Sequence, residues 1–126
     1  MIALDTSALI AIVLDEPEAE RCVAAIERDR RLAISAGTVA EALIVAARRG
    51  VGQEMSRLIG GIRPEIVAIE AAGARRIAGA YERWGRGYHR SALNFGDCFA
   101  YALAEERACP LLFVGDDFSK TDVTGA

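Results

Sequence analysis

The chain of 126 residues holds one histidine and three cysteines, and those small numbers already exclude several classes of protein. An odd count, at Cys22, Cys98 and Cys109, in a chain long enough to build its own core excludes a disulfide scaffold and fits a reducing compartment. With His89 as the only imidazole and the cysteines scattered, the ligands of a zinc site are missing as well. No run approaches the roughly 20 apolar residues of a transmembrane helix. The apolar opening, MIALDTSALIAIVL, lacks the basic start of a secretory signal and is interrupted by Asp5. A cytoplasmic protein without membrane contact is expected. Positive charge is not in excess: 15 Lys+Arg stand against 18 Asp+Glu, a net charge of −3, which excludes a protein that holds nucleic acid by a global positive field. At 52% hydrophobic and 26% charged residues, disorder is excluded too. There is no repeat, no low-complexity tract and no Pro-, Gly- or Ser-rich linker, so residues 1–126 read as one domain.

What remains is an alternation of short apolar runs with longer segments of helical period, the signature of a parallel sheet covered on both faces. The runs Ile2–Leu4, Leu32–Ser35, Glu65–Ala68 and Leu111–Val114 are too short for helices and read as strands, with a last short edge strand that includes Val123. Helices are expected over Thr6–Leu14, Pro17–Arg28, Thr38–Arg49, Gln53–Ile59 and Glu70–Trp84, and from an Asn94 N-cap to about Arg107. Asp97 falls at the third helical position after Asn94, as in a capping box. The Gly50/Gly52 pair breaks two helices apart and Pro110 forces the break before the last main strand. On the Glu70–Trp84 helix, Ala74, Ile77, Ala78, Tyr81 and Trp84 form one apolar stripe. The fold class is α/β: a three-layer α/β/α sandwich with a mainly parallel sheet of four to five strands.

Acids stand where charge is otherwise absent. Evenly scattered charges would put roughly three or four in any fourteen residues. Met1–Leu14 holds only Asp5, Ala33–Ala47 only Glu41, and Ser91–Ala104 only Asp97. Burying an unpaired carboxylate costs several kcal/mol, so each needs a donor, a cation or a proton. Asp5 closes the first strand, Glu41 lies about one turn into the helix after the second, and Asp97 opens a helix near the strand ends. Open parallel sheets place ligands at that edge. Asp116–Asp117 follows the last main strand there as well. Carboxylates crowded into one crevice repel, and a divalent cation resolves the repulsion. An all-oxygen set selects Mg²⁺, with Mn²⁺ as substitute, and suggests metal-assisted hydrolysis of a phosphate ester. Plainer roles stay open at this point: Asp5-Thr6-Ser7 as a helix cap, Asp97 as a helix-dipole partner, Glu41 in a structural salt bridge, Asp116–Asp117 as a turn.

The segments MIALDTSALIAI, ISAGTVAEALIVAARR, YHRSALNFGDCFAYALA and LLFVGDDFSKTD, in that order, resemble PIN-domain ribonucleases, specifically the VapC toxins of bacterial toxin–antitoxin modules. The resemblance implies a Mg²⁺- or Mn²⁺-dependent endoribonuclease acting on RNA, often tRNA or rRNA, inhibited by a cognate VapB-type antitoxin and tending to form a homodimer. Carried over by position, the family's acidic quartet falls on Asp5, Glu41, Asp97 and Asp117, with Asp116 as the alternative fourth acid. Asp5 and Asp97 match the metal ligands. Thr6 or Ser7 would hydrogen-bond a ligand carboxylate, and Glu41 would orient or deprotonate the attacking water or help ligate a second ion.

Between Arg75 and Arg90 the chain carries Arg75, Arg76, Arg83, Arg86 and Arg90 against a single Glu82, with Tyr88 and His89 interleaved. Arg86, His89 and Arg90, just ahead of Asn94–Asp97, are candidate RNA contacts; a solvated helix face and polar loop is the plain alternative. In the resembling family, the helical region matching Arg48–Arg63 helps form an antitoxin groove; here Arg48, Arg49 and Arg57 flank Val51, Met55, Leu58 and Ile59, which also suit a core. A haloacid-dehalogenase-type phosphatase needs a second acid two residues after Asp5, where Ser7 stands, and a response-regulator receiver lacks its acidic pair. A catalytically inactive PIN-like binding module remains as the rival of another class. Setting the four acids aside as metal-neutralised leaves fourteen acids against fifteen bases, so the acidic balance is compatible with cutting RNA.

Overall fold

The computed structural model describes residues 1–29 and 31–126. Its centre is β1 (Ile2–Leu4), buried along its whole length and flanked by β2 (Leu32–Ser35) and β4 (Leu111–Leu112), with β3 (Glu65–Val67) outside β2. Among the described residues these four form one sheet in the order β3-β2-β1-β4, every pair parallel. Register is set by Ile2 opposite Leu32, Ala3 opposite Leu111 and Ile34 opposite Ile66. A strand buried on both faces has no reason to alternate polar and apolar residues, which is why β1 reads IAL and β2 reads LAIS.

Helices α1 (Thr6–Val13), α2 (Ala19–Arg28), α3 (Ala36–Arg48) and α4 (Gly52–Ile62) fill the connections from β1 to β2 to β3. They share one core with Ile2, Leu4, Leu32 and Ile34. Helices α5 (Ala71–Trp84) and α6 (Phe95–Arg107) return the chain to β4 and pack with Ala3, Ala33 and Leu111. Because successive strand residues point to opposite faces, these two residue sets lie on opposite sides of the sheet, and the three layers follow. The strand order reverses at β1, so the carboxyl ends of β1 and β4 lie at the topological switch point, the edge where open parallel sheets take their ligands.

Several boundaries differ from expectation for identifiable reasons. The last main strand stops at Leu112 rather than Val114, because the Val114 N–H donates to Ser7 Oγ (2.9 Å) instead of to a strand. The extra edge strand is not built on Val123: a single parallel bridge pairs Leu111 with Gly125. α2 begins at Ala19, with Pro17 in the preceding turn, and α4 runs on through Gly60 and Gly61 to Ile62. On α5 the buried positions are Ile77 and Ala80, while Ala74 and Ala78 of the expected stripe are exposed. In the Arg48–Arg63 segment the apolar residues turn inward: Met55 and Ile59 are buried and Val51 and Leu58 pack against the same core.

Met55 holds α4 down, and deletion of a buried Met side chain costs about 2–5 kcal/mol through lost transfer energy and the cavity left behind. Met55→Ala is expected to lower stability in urea denaturation by an amount in that range. A change of less than about 0.5 kcal/mol would contradict this packing.

Candidate active site

Asp5 is the residue at which β1 ends and α1 begins. Its N–H donates to Leu112 O (3.0 Å), continuing the pairing with β4, and its extended backbone makes it the α1 N-cap. Oδ2 accepts from the Ser7 N–H (3.0 Å) and from the Ser7 hydroxyl (2.6 Å). Oδ1 is buried with no hydrogen-bond partner. A cap needs one oxygen, so the second is free for another purpose. Ser7 Oγ in turn accepts the Val114 N–H, tying the ends of β1 and β4 together through one hydroxyl.

Asp97 sits in the capping box of α6. The Asp97 N–H donates to Asn94 Oδ1 (2.8 Å) and the Asn94 N–H donates to Asp97 Oδ2 (3.0 Å). Asp5 and Asp97 are only 4% and 8% exposed. Glu41 reaches in from α3, where the Thr6 hydroxyl donates to its Oε1 (2.6 Å). It lies flat against α6, since a Cβ at Gly96 would overlap the Glu41 carboxylate. Gly96 therefore works as a cradle, a role the sequence signals only by a glycine directly before Asp97.

Electrostatics shows that the acids feel one another. Burial raises the Asp5 carboxyl to about 6, against the hydrogen bonds from Ser7 and with a further push from the Glu41 charge. Burial likewise raises Asp97 to about 7, and the charges of Asp5, Asp117 and Glu41 add to it. Asp117 and Asp116 are both exposed after β4. Asp117 is the one whose charge reaches Asp97. Asp116 instead borders a cleft with Glu18, Arg21 and Phe113.

An unpartnered buried carboxylate oxygen and two carboxyls driven toward protonation, in an all-oxygen setting, suit a hard divalent cation. Among the described residues no three carboxylate, imidazole or thiol groups share reach of one ion, so the set is not a closed protein cage. Mg²⁺ commonly takes one or two carboxylates and keeps its waters, which this arrangement matches.

The chain matches the PIN domain family over residues 2–123. It is 43% identical over 125 residues to Ribonuclease VapC30 of Mycobacterium tuberculosis, across 97% of this chain and 95% of that protein. The chain belongs to the VapC family of PIN-domain proteins. Solved structures agree on the fold. VapC20 of Mycobacterium tuberculosis, a sarcin-ricin loop cleaving toxin, is similar with a TM-score of 0.81 at 12% identity, over 100% of this chain and 98% of that one. A toxin-antitoxin complex from Klebsiella pneumoniae gives 0.75 at 20% identity, over 100% and 97%.

The basic segment ahead of this VapC site is more ordered than its composition suggests. Residues 85–93 form a closed loop: the Arg86 N–H donates to Leu93 O (3.0 Å) and the Leu93 N–H to Trp84 O (3.1 Å). His89 packs edge-on against Trp84, centroids 4.8 Å apart, and its Nδ1 accepts the Ser91 N–H (3.0 Å), so one face and one nitrogen serve the loop. Arg86 and Arg90 are exposed, as are Arg75 and Arg76 on α5. Arg83 is engaged elsewhere, paired with Asp122 at 3.1 Å and lying over the Trp84 ring.

Without an ion, both raised carboxyls bind their protons more tightly in the folded protein than in the unfolded chain. The stability this gives is complete below the ordinary carboxylate range and is lost as pH rises through about 6 to 7. The melting temperature of EDTA-treated protein is therefore expected to fall between pH 5 and pH 8. Asp97→Asn, which keeps an oxygen for the Asn94 N–H, is expected to flatten that fall. A melting temperature that climbs across the window in the unsubstituted chain would contradict the burial described.

Proposed function

We propose that this VapC-family chain is the toxin of a toxin–antitoxin module, an endoribonuclease that hydrolyses RNA phosphodiester bonds with a divalent cation, Mg²⁺ or Mn²⁺. The observation that carries this reading is the buried, unpartnered Asp5 Oδ1, on a carboxylate whose charge acts on a second buried acid, Asp97. The 43% identity to a VapC ribonuclease over nearly the full chain supports the same activity.

Asp5 and Asp97 would hold the ion, which when bound supplies charge neutralisation at the phosphate and a more acidic water. Ser7 fixes Asp5 by occupying Oδ2, so that Oδ1 keeps one direction. Glu41, steadied by the Thr6 hydroxyl and pressed on Gly96, is placed to orient a water and accept its proton. Attack in line forms a P–O bond from that water as one bridging P–O bond breaks. Asp117, exposed at the rim, adds negative charge that favours cation binding. Arg86 and Arg90 would contact RNA phosphates. His89, clipped to Trp84 and Ser91, would do so only through the rest of its ring.

Antitoxin binding and homodimer formation both require apolar surface outside the core. Ala40, Leu43, Ile44 and Ala47 supply it, exposed at helical spacing on α3, with Ile44 58% exposed. The solved toxin-antitoxin complex of like fold supports a protein partner of this kind. RNA of the tRNA or rRNA class is the substrate this reading expects.

The test is metal-dependent cleavage of RNA by purified protein. EDTA and Asp5→Asn or Asp97→Asn are each expected to lower the rate by at least a hundredfold with the circular dichroism spectrum unchanged. Undiminished cleavage by folded Asp97→Asn protein would overturn the assignment. Separately, Gly96→Ala is expected to displace Glu41 and cut the rate at least tenfold; an unaltered rate would remove Glu41 from the chemistry.

A further inference from the structure

The exposed aromatic residues around the start of α6 are not used by the chemistry above. Phe95, the first residue of α6, is 68% exposed, and Tyr88, at the tip of the closed 85–93 loop, is 65% exposed. Each is one member of an edge-on pair: Phe95 with Phe99 at 4.7 Å and Tyr81 with Tyr88 at 6.0 Å. The two pairs line a single cleft of about 530 Å³ between α5 and the start of α6, with Ile77 and Ala78 also in its wall. Such pairs are pre-positioned. Phe99 is held beneath α3, where a Cβ at Gly37 would collide with its ring at 2.8 Å. Tyr88 is set by its own N–H, which donates to Gly85 O (3.0 Å), and by the backbone closure of the loop.

The cleft reaches the first turn of α6 at Phe95, and the residue before it, Asn94, exchanges hydrogen bonds with Asp97. At about 100° per residue, Phe95 and Asp97 leave the helix on nearly opposite sides, with Gly96 and the Glu41 carboxylate between them. Arg86 borders a shallow cavity that Phe95, Tyr81 and Asn94 share, at the point where the two regions meet. Arg75, Arg76 and Arg90 are exposed nearby in the chain, and the aromatic cleft has one acid in its wall, Glu82. Exposed ring faces beside a guanidinium, next to a phosphodiester-cutting site, match a single-stranded nucleotide in both charge and shape: bases that leave the stack are taken up on aromatic rings while Arg holds the backbone.

We propose that the Phe95–Tyr88 cleft is a nucleobase subsite, taking an unpaired base one or two nucleotides from the scissile phosphate while Arg86 contacts the intervening backbone. The subsite rests on the ribonuclease reading and adds to it a requirement: the target is cut where a base is free to swing out of its stack.

The test uses single-stranded oligoribonucleotides carrying 2-aminopurine at successive positions, bound to Asp97→Asn protein so that nothing is cut. At one or two positions the fluorescence is expected to be quenched by stacking. Phe95→Ala in that background is expected to abolish the quenching and weaken binding roughly tenfold, the range of base–aromatic stacking. Phe95→Trp restores both, and Arg86→Ala weakens binding with a shallower salt dependence. Because Phe95 is largely in solvent, these variants test the surface rather than the fold. Unchanged quenching and affinity in Phe95→Ala would overturn the subsite while leaving the ribonuclease reading intact. A shift of Phe95→Ala from dimer to monomer in sedimentation, with RNA binding unaltered, would overturn it in favour of an interface between copies. If the unsubstituted chain neither binds nor cuts RNA, the ribonuclease reading itself falls, and the subsite with it.

Discussion

A carboxylate at the end of a buried strand, with one oxygen satisfied and the other not, is the constraint from which the rest of the site follows. Asp5 cannot move away, because its backbone is part of the β1–β4 pairing and its Oδ2 is fixed by Ser7. Nor is its burial optional, because β1 is the inner strand at which the sheet order reverses. The fold thus delivers one uncompensated oxygen to the carboxyl end of β1 and brings Asp97 within electrostatic reach of Asp5, Glu41 and Asp117. A protein selected for stability alone would cap α1 with Ser or Asn and avoid the desolvation cost.

The layer order, the parallel sheet and most elements were legible in the sequence because both physical signals were strong: short, wholly apolar runs for strands buried on two faces, and capping chemistry at Asn94 and Asp97. Boundaries failed where a side chain took over a backbone partner. Nothing in the string LLFV announces that the Val114 N–H belongs to Ser7, more than a hundred residues earlier. The α5 stripe failed differently. Ala74 and Ala78 are apolar enough to count toward a hydrophobic face but too small to reveal that this face borders an open cleft rather than the core. In the Arg48–Arg63 segment, apolar residues at helical spacing suited a groove and a core equally, and it took the packing to show that Met55 and Ile59 are core residues.

The acids of the candidate site were legible from the scarcity of charge around them, but their supporting contacts were not. Thr6 and Ser7 are adjacent, yet one serves Glu41 on another helix and the other serves Asp5, a division set by the direction in which α1 leaves the sheet. Gly96 is silent in sequence because its function is the absence of a side chain. Asp116 and Asp117 could not be separated by spacing; their surroundings separate them, one beside Arg21 and the other felt by Asp97.

The bond from the Val114 N–H to Ser7 Oγ joins the segment after β1 to the segment after β4, and β1 itself is flanked on one side only by a strand made near the end of the chain. During synthesis the N-terminal portion emerges with Asp5, Thr6, Ser7 and Glu41 but without the strand that completes its central pairing or the helix that carries Asp97. Contacts this distant in sequence form late, after the loops between them have closed. The acids are therefore drawn from both ends of the chain, and they come together only once α6 and β4 have been made and docked against β1.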